Sequence, residues 1–531
     1  MNTPTTPAPG EEGEELAQFL AELDAAAAGE DSERPATGEE VVAQVMNRDV
    51  SGGMREVFGK LQMLPEDDED AALAGQDGAS APPSQSETSA AMRQLERAII
   101  ARAPEHQVQP SLERLQLAMH ILGDPQTTYR AIHITGTNGK TSTSRMIDSL
   151  LQASGRRVGR FTSPHLNSIR ERICLAGEPV SETQFLEAYA DVAPYLEMVD
   201  AHSAHRGGPQ MSFFEVLATM AYAAFADAPV DVAVVEVGMG GKWDATNVLD
   251  AEVAVLTPIA KDHEKWLGAS VEEIAREKVG IIKPGATVIS APQEPTVEEI
   301  VRQACAEAGA TCRFLGQDID LVSRQVGVGG QVITVRTPAA TYEDIPLPLL
   351  GAHQASNAAL ALAAVEAFNA GRALEAQIVE DGFAAATSPG RLEVVRSSPS
   401  IIVDAAHNPH GANALVQAVE EAFDYTTVVG VYSAMADKNV EAVLAEMEPL
   451  LDEIVLTQMD SPRAMSLAQL TEIATDVFGA DRVWAEASLL DAIDRAVERS
   501  EIAADPATSS GVVVFGSVVL AGAARALIKG Q

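Results

Sequence analysis

Residues 132–151 read IHITGTNGKTSTSRMIDSLL, and this stretch decides the fold. The apolar run ending at Thr135 enters the Gly-rich turn Gly136-Thr137-Asn138-Gly139, followed by Lys140-Thr141 and a run with apolar residues at helical spacing. Strand, turn and helix in that order point backbone N–H groups at phosphate oxygens, and the lysine adds a point charge. Thr141 is spaced to reach a Mg²⁺ ion carried on a nucleotide. The spacing departs from G-x-x-x-x-G-K-[ST], because Ile134 stands where the first glycine would be. An ATP site is expected, with GTP the second choice.

Outward from this loop, strand-like runs alternate with helical ones. YRAIHIT, RVGRFTS, DVAVVEVG, EVAVLTPI and ATVISA read as strands, with helices expected over 140–153 and 270–279. Such alternation is the mark of a parallel sheet with crossover helices. A hairpin is expected at 320–337 and a helix at 356–368. A second alternating series begins near 388: RLEVVR, SIIVDAA, TTVVGVY, EIVLTQ, RVWAE and VVVFGSV. The fold class is therefore α/β: a P-loop parallel-sheet ATPase domain over 91–387, then a smaller Rossmann-like α/β domain over 388–531. MRQLERAIIAR and PSLERLQLAMHIL add two amphipathic helices ahead of the phosphate loop.

Residues 1–90 differ in kind. They hold 20 Asp+Glu against 4 Lys+Arg, a net of −16 within the chain total of −40. With two aromatics and the runs PEDDEDAA and SAPPSQSETSA, they carry too little apolar surface to offset ordering entropy. A disordered acidic tail is expected there, with one short helix near 40–63. The total charge argues against a phosphate backbone as main partner, so no nucleic acid is expected. No 18-residue apolar run or secretory leader is visible, and three cysteines fit a reducing compartment. The expectation is a cytoplasmic protein with no membrane partner.

Glu236 closes the apolar run VAVV, where an open α/β sheet forms its ligand crevice. A carboxylate there is costly unless it is paired or holds a metal. Asp262-His263 ends the run VLTPIAKDH in the same way. Gly238-Met-Gly240-Gly241 lacks the G-x-G-x-x-G spacing of a dinucleotide site. By composition alone Lys278 is a helix-end cation, His133 a packed strand residue, and Cys305 and Cys312 inert thiols.

GTNGKTS, TSPHL (162–166), EVGMGGKWDATN, the Asp262-His263 pair, EKVGIIKPG, GAHQASN (351–357), SPGRLE (388–393) and DAAHNPHG (404–411) occur in one order. Together they closely resemble the folylpolyglutamate synthase/dihydrofolate synthase branch of the muramyl-ligase superfamily of ATP-dependent amide ligases. The resemblance covers residues 91–531. It implies that Thr137, Asn138, Gly139 and Lys140 hold ATP phosphates, and that Ser163, Glu236 and His263 bind one or two Mg²⁺ ions. Lys278 matches a lysine that the family carbamylates, which would make it a further metal ligand and a catalytic residue beside Lys140. Asn357, Arg391 and Asp404 match nucleotide-binding positions, and His407 would sit near the transferred phosphoryl group. A pterin would contact Ser212, Phe213, Phe214 and Glu215, together with Trp243, Asp244 and Ala245. The implied substrates are dihydropteroate or a reduced folate, L-glutamate and ATP, acting on a monomer. Lys242 stands where the family often has arginine, GSVVLAGAAR is less aromatic than its family counterpart, and Met435-Ala-Asp437-Lys438 matches a motif without an assigned role. Two other readings share the loop: a muramyl ligase acting on a UDP-linked precursor, and a nucleotide-dependent switch that makes no amide.

Overall fold

A computed structural model describes residues 84–102, 111–503 and 509–530. The tail expectation, including the helix near 40–63, lies outside the described residues as far as residue 83. From Ser84 the chain departs from it. The helix Gln85–Ile100 begins six residues before the expected boundary, because Ser84 and Glu87 close a reciprocal capping box. Its stripe Ala91, Met92, Leu95 and Ile99 is buried against the rest of the chain.

The first lobe is built on eight strands: β1 (Arg130–Thr135), β2 (Val158–Phe161), β3 (Ile173–Leu175), β4 (Glu178–Pro179), β5 (Val232–Glu236), β6 (Val253–Leu256), β7 (Thr287–Ser290) and β8 (Thr311–Phe314). Their order is β4-β3-β2-β5-β1-β6-β7-β8, and β2 through β8 run parallel along that order. Central strands read as unbroken apolar runs because both faces are covered. On one face Ile132, Ile134 and Val234 pack with Met146, Ile147 and Leu150 of the helix Lys140–Ala153 and with the helix Ala352–Phe368. On the other, Ala131, Ala233 and Val235 meet the helix Phe213–Asp227. Fully burying one Val or Ile side chain contributes about 1.5–3 kcal/mol, so these layers anchor everything the loops carry.

The expected hairpin is present as β9 (Asp320–Gly327) and β10 (Gly330–Arg336), and a third strand, β11 (Thr341–Leu347), pairs antiparallel with β10. The helix expected at 356–368 starts earlier, at Ala352. The second lobe has β12 (Glu393–Ser397), β13 (Ser400–Val403), β14 (Tyr425–Tyr432), β15 (Glu453–Leu456), β16 (Val483–Ala485) and β17 (Ser509–Phe515), ordered β12-β13-β17-β14-β15-β16. Only β12, at the edge, is antiparallel to its neighbour.

In the first sheet β1 leads to β2 on one side while β5 leads to β6 on the other, a topological switch that opens a crevice beyond the strands' carboxyl ends. Loops from the carboxyl ends of β13, β14 and β17 face it, so both lobes line one cleft of about 1450 Å³. No helix among the described residues is long and apolar enough to cross a membrane.

Candidate active site

The phosphate loop leaves β1 at the centre of the sheet. Gly136 has φ +146°, and a Cβ there would lie 1.9 Å from the Thr257 hydroxyl. Gly139 has φ +90°, and its Cβ would lie 2.7 Å from the Asn357 side-chain oxygen. Only glycine fits either position, which leaves the loop backbone open to an incoming anion. Lys140 is the first residue of the following helix, and its Nζ donates to the carbonyls of Gly136 and Thr137, each at 3.2 Å. Burial pulls its pKa down against the opposing charges of Glu236 and Asp262. The cradle fits a nucleotide polyphosphate.

Glu236 ends β5 and is 1% exposed. Thr141 Oγ1 donates to it at 2.9 Å. Burial raises the Glu236 pKa, opposed by Lys140, the Thr141 hydrogen bond, Arg391 and the Ser163 backbone N–H. Lys278, the last residue of the helix Val271–Lys278, is buried and donates from Nζ to the Gly136 carbonyl at 2.8 Å. Burial first, and the Lys140 charge second, push this amine down to about 7. His263 lies in the cleft with φ +53°. Among the described residues no three His, Cys, Asp or Glu side chains form a metal cage by themselves. Ser163, Glu236 and His263 all line the cleft onto which the phosphate loop opens.

Three positions come from farther along the chain. Asn357, on the helix Ala352–Phe368, packs its amide against Gly139 and bonds Gln354. Arg391 lines the cleft from the second lobe, and its charge reaches both Lys140 and Glu236. Both Asp404 oxygens are engaged, accepting from the backbone N–H groups of Leu392 and Ala406 at 2.7 Å each. That carboxylate braces the Arg391 turn against the His407 loop. His407 itself lies 3.3 Å from Asp262 through Nε2.

Aromatic side chains line the same cleft. Ser212 caps the helix Phe213–Asp227 and Glu215 closes the capping box. Glu215 also accepts from Arg114 Nε at 2.9 Å. Phe214 lies on the cleft wall against Gly238 and 5.6 Å from the Phe161 ring. Phe213, expected beside it, does not line the cleft. Successive helical residues point about 100° apart, which turns Phe213 into the core with the Arg172 guanidinium 4.8 Å from its ring. Trp243 and Ala245 line the cleft. Asp244 lines it too, but its oxygens accept from Met239 N, Thr246 N and the Thr246 hydroxyl, so it shapes the loop. Lys242 is exposed and stays outside the cleft. Cys305 is buried, and burial and the neighbouring Cys312 thiol push it up to about 12, far from a reactive thiolate.

Motif reading brought Asp262 to the sheet edge with His263 but gave it no role of its own. It accepts from Lys438 Nζ at 2.6 Å and from Asn408 Nδ2 at 3.2 Å, both on the second lobe, besides His407. Asn408 also exchanges amide hydrogen bonds with Asn138 of the phosphate loop, at 3.1 and 3.0 Å.

A phosphate loop on one α/β lobe facing a Rossmann-like second lobe defines the class of the Mur ligases. The Mur ligase middle domain matches residues 203–365, and the Mur ligase glutamate ligase domain matches residues 390–518. Within that class, the dihydrofolate synthase/folylpolyglutamate synthase of Mycobacterium tuberculosis is 48% identical over 457 residues, covering 82% of this chain and 94% of its own. The crystal structure of Mycobacterium tuberculosis folylpolyglutamate synthase complexed with ADP and AMPPCP superposes with a TM-score of 0.79 at 48% identity, covering 83% of this chain and 99% of that one. Escherichia coli FolC in complex with DHPP and ADP gives 0.71 at 29% identity, covering 83% and 98%. The chain belongs to the dihydrofolate synthase/folylpolyglutamate synthase family.

Proposed function

We propose that this chain is an ATP-dependent ligase that adds L-glutamate to dihydropteroate, forming dihydrofolate, and to the glutamyl tail of reduced folates. The observation that carries this reading is one cleft lined both by the phosphate cradle and by the aromatic side chains Phe214 and Trp243, with Arg391 of the second lobe lining it too. The ADP, AMPPCP and DHPP complexes of the family structures support it.

In the chemistry that fits this cleft, a substrate carboxylate oxygen attacks the γ-phosphorus of ATP and the bond to the bridging oxygen breaks, releasing ADP. The glutamate amine then attacks the acyl carbon, phosphate leaves, and one proton is lost from nitrogen. A carboxylate approaching a triphosphate meets like charge, so Lys140 and Arg391 have to neutralise it in place. Mg²⁺ bound with ATP would add to that neutralisation, held by Ser163, Glu236, His263 and a carbamylated Lys278. An amine buried and pushed down to about 7 has the neutral fraction that carbamylation needs. Thr137, Asn138, Gly139, Thr141, Asn357 and the Asp404 brace would place the nucleotide. Ser212, Phe214, Glu215, Trp243 and Ala245 would receive the pterin. Closure of the second lobe, 388–531, on the first, 91–387, would keep water from the acyl phosphate. The protein is assigned as a cytoplasmic monomer.

Lys140→Ala or Glu236→Ala is expected to lower kcat by at least about 10²-fold, the scale of losing one positioned charge. Near-normal ADP release by either variant would sink the proposal.

A further inference from the structure

We propose that Asp262 is a positioning residue that sets the second lobe's Lys438 and His407 in register with the phosphate loop; the proposal rests on the ligase reading above. Asp262 is itself fixed to that loop. Thr137 donates from its backbone N–H to the Pro258 carbonyl at 2.9 Å, and its hydroxyl exchanges hydrogen bonds with Ala260, donating at 2.9 Å and accepting at 3.0 Å. The segment 258–262 therefore moves with the phosphate loop, and Asp262 carries that position across the cleft.

On the far side, the Met435-Ala-Asp437-Lys438 turn is arranged to meet it. Asp437 is held by Arg463, with both carboxylate oxygens 2.9 Å from Nη2. Met435 forms an isolated bridge to Ala464. The turn is thereby pinned to its own lobe, and Lys438 crosses to Asp262 at 2.6 Å, with only 13% and 10% of the two side chains exposed. A pair this enclosed is screened far less than a surface ion pair, and its geometry is specific. The other oxygen of Asp262 takes Asn408 at 3.2 Å and faces His407 at 3.3 Å. The pair thus fixes where two second-lobe side chains stand relative to Lys140, and it gives the Met435–Lys438 motif a role.

The test is a double-mutant cycle on the full chain with Asp262→Asn, Lys438→Met and both together, reading glutamate-dependent ADP release with dihydropteroate. Misplacing a reacting group by about 1 Å costs about 10²-fold, so each single variant is expected to lose roughly that in kcat while the KM for ATP stays within about threefold. The double variant is expected to be no worse than the weaker single variant, because the second change removes a partner already lost. Asp262→Glu, which keeps the charge, is expected to recover part of the loss, and Asp262→Ala replaces Asp262→Asn in the cycle if that variant does not fold. Losses that multiply in the double variant, or single variants with normal kcat, overturn the assignment. If the wild-type chain shows no glutamate-dependent turnover, the ligase reading fails, and small-angle scattering without substrates decides the Asp262 assignment by itself. A larger radius of gyration for Asp262→Asn than for wild type then supports it, and equal radii overturn it.

Discussion

The buried guanidinium of Arg160 allows a quantitative prediction. Arg160 lies on β2, behind the phosphate-loop helix, and is 1% exposed. Its Nε donates to Asp148 Oδ2 at 2.8 Å, on the helix that Lys140 begins. Its other partners are weak: the Thr162 hydroxyl at 3.5 Å and the Cys174 sulfur at 3.1 Å. Asp148 is better served, because Gln152 Nε2 donates to its second oxygen at 2.7 Å. Deleting the carboxylate therefore strands a permanent cation, while deleting the cation leaves a carboxylate with one remaining donor. Breaking a buried pair on one side costs about 3–5 kcal/mol, and replacing both members with well-packed apolar residues ranges from neutral to stabilising. Asp148→Ala should fall at the upper end of that range, Arg160→Met below it, and Arg160→Met with Asp148→Leu near wild type. For a large lobe about 1 kcal/mol shifts Tm by roughly 2–4 °C, so Asp148→Ala, near about 5 kcal/mol, should melt roughly 10–20 °C early by calorimetry. Arg160→Met less stable than Asp148→Ala, or a double variant as damaged as Asp148→Ala, would refute the reasoning.

Two further predictions concern the first lobe. His133 is fully buried, bonded through Nε2 to the Thr246 hydroxyl at 2.8 Å, and burial, followed by the charge of Lys283, pushes it from 6.5 down to about 3. Between those values the unfolded chain binds a proton that the folded chain refuses, so stability falls as pH falls through that window, by about 1.4 kcal/mol per unit. His133→Phe should remove that slope from the stability-versus-pH curve, and parallel curves would contradict it. Phe214 and Phe213 should separate in assay. Phe214→Ala should cost about 1–3 kcal/mol of pterin binding, roughly 5- to 150-fold in its KM, with the KM for ATP unchanged. Phe213→Ala should instead cost about 3–5 kcal/mol of stability. Equal effects on pterin KM would contradict the placement of the two rings.

What could be read from the sequence was what neighbouring residues encode together. The phosphate loop, the helix Lys140–Ala153 and Glu236 at a strand end each follow from a few consecutive side chains and a period. β11 escaped because Pro346 interrupts its pattern, and the structure places it on the edge, where a missing N–H is tolerated. The facing of Phe213 and Phe214 depends on helix rotation against the sheet, which a two-residue aromatic run does not specify. Asp404 matched a nucleotide-binding position through resemblance, while its backbone N–H partners take their direction only once the turns at Leu392 and Ala406 have formed. Asp262 and Lys438 are 176 residues apart, and nothing local in either segment indicates the other. Lys278 gained its role from family resemblance alone, and its burial against the Gly136 carbonyl is a tertiary fact.

The central claim is glutamate ligation to a pteroate or folate at the expense of ATP. The most direct measurement is ADP release by the full chain with dihydropteroate plus L-glutamate, with tetrahydrofolate plus L-glutamate, and with a UDP-muramyl substrate plus its amino acid, each against controls lacking one component. Turnover that needs ATP, L-glutamate and a pteroate or folate together, with a product heavier by one glutamyl residue, is the predicted result. Turnover only with the UDP-muramyl substrate, or nucleotide binding with no substrate-dependent ADP release, would contradict the account.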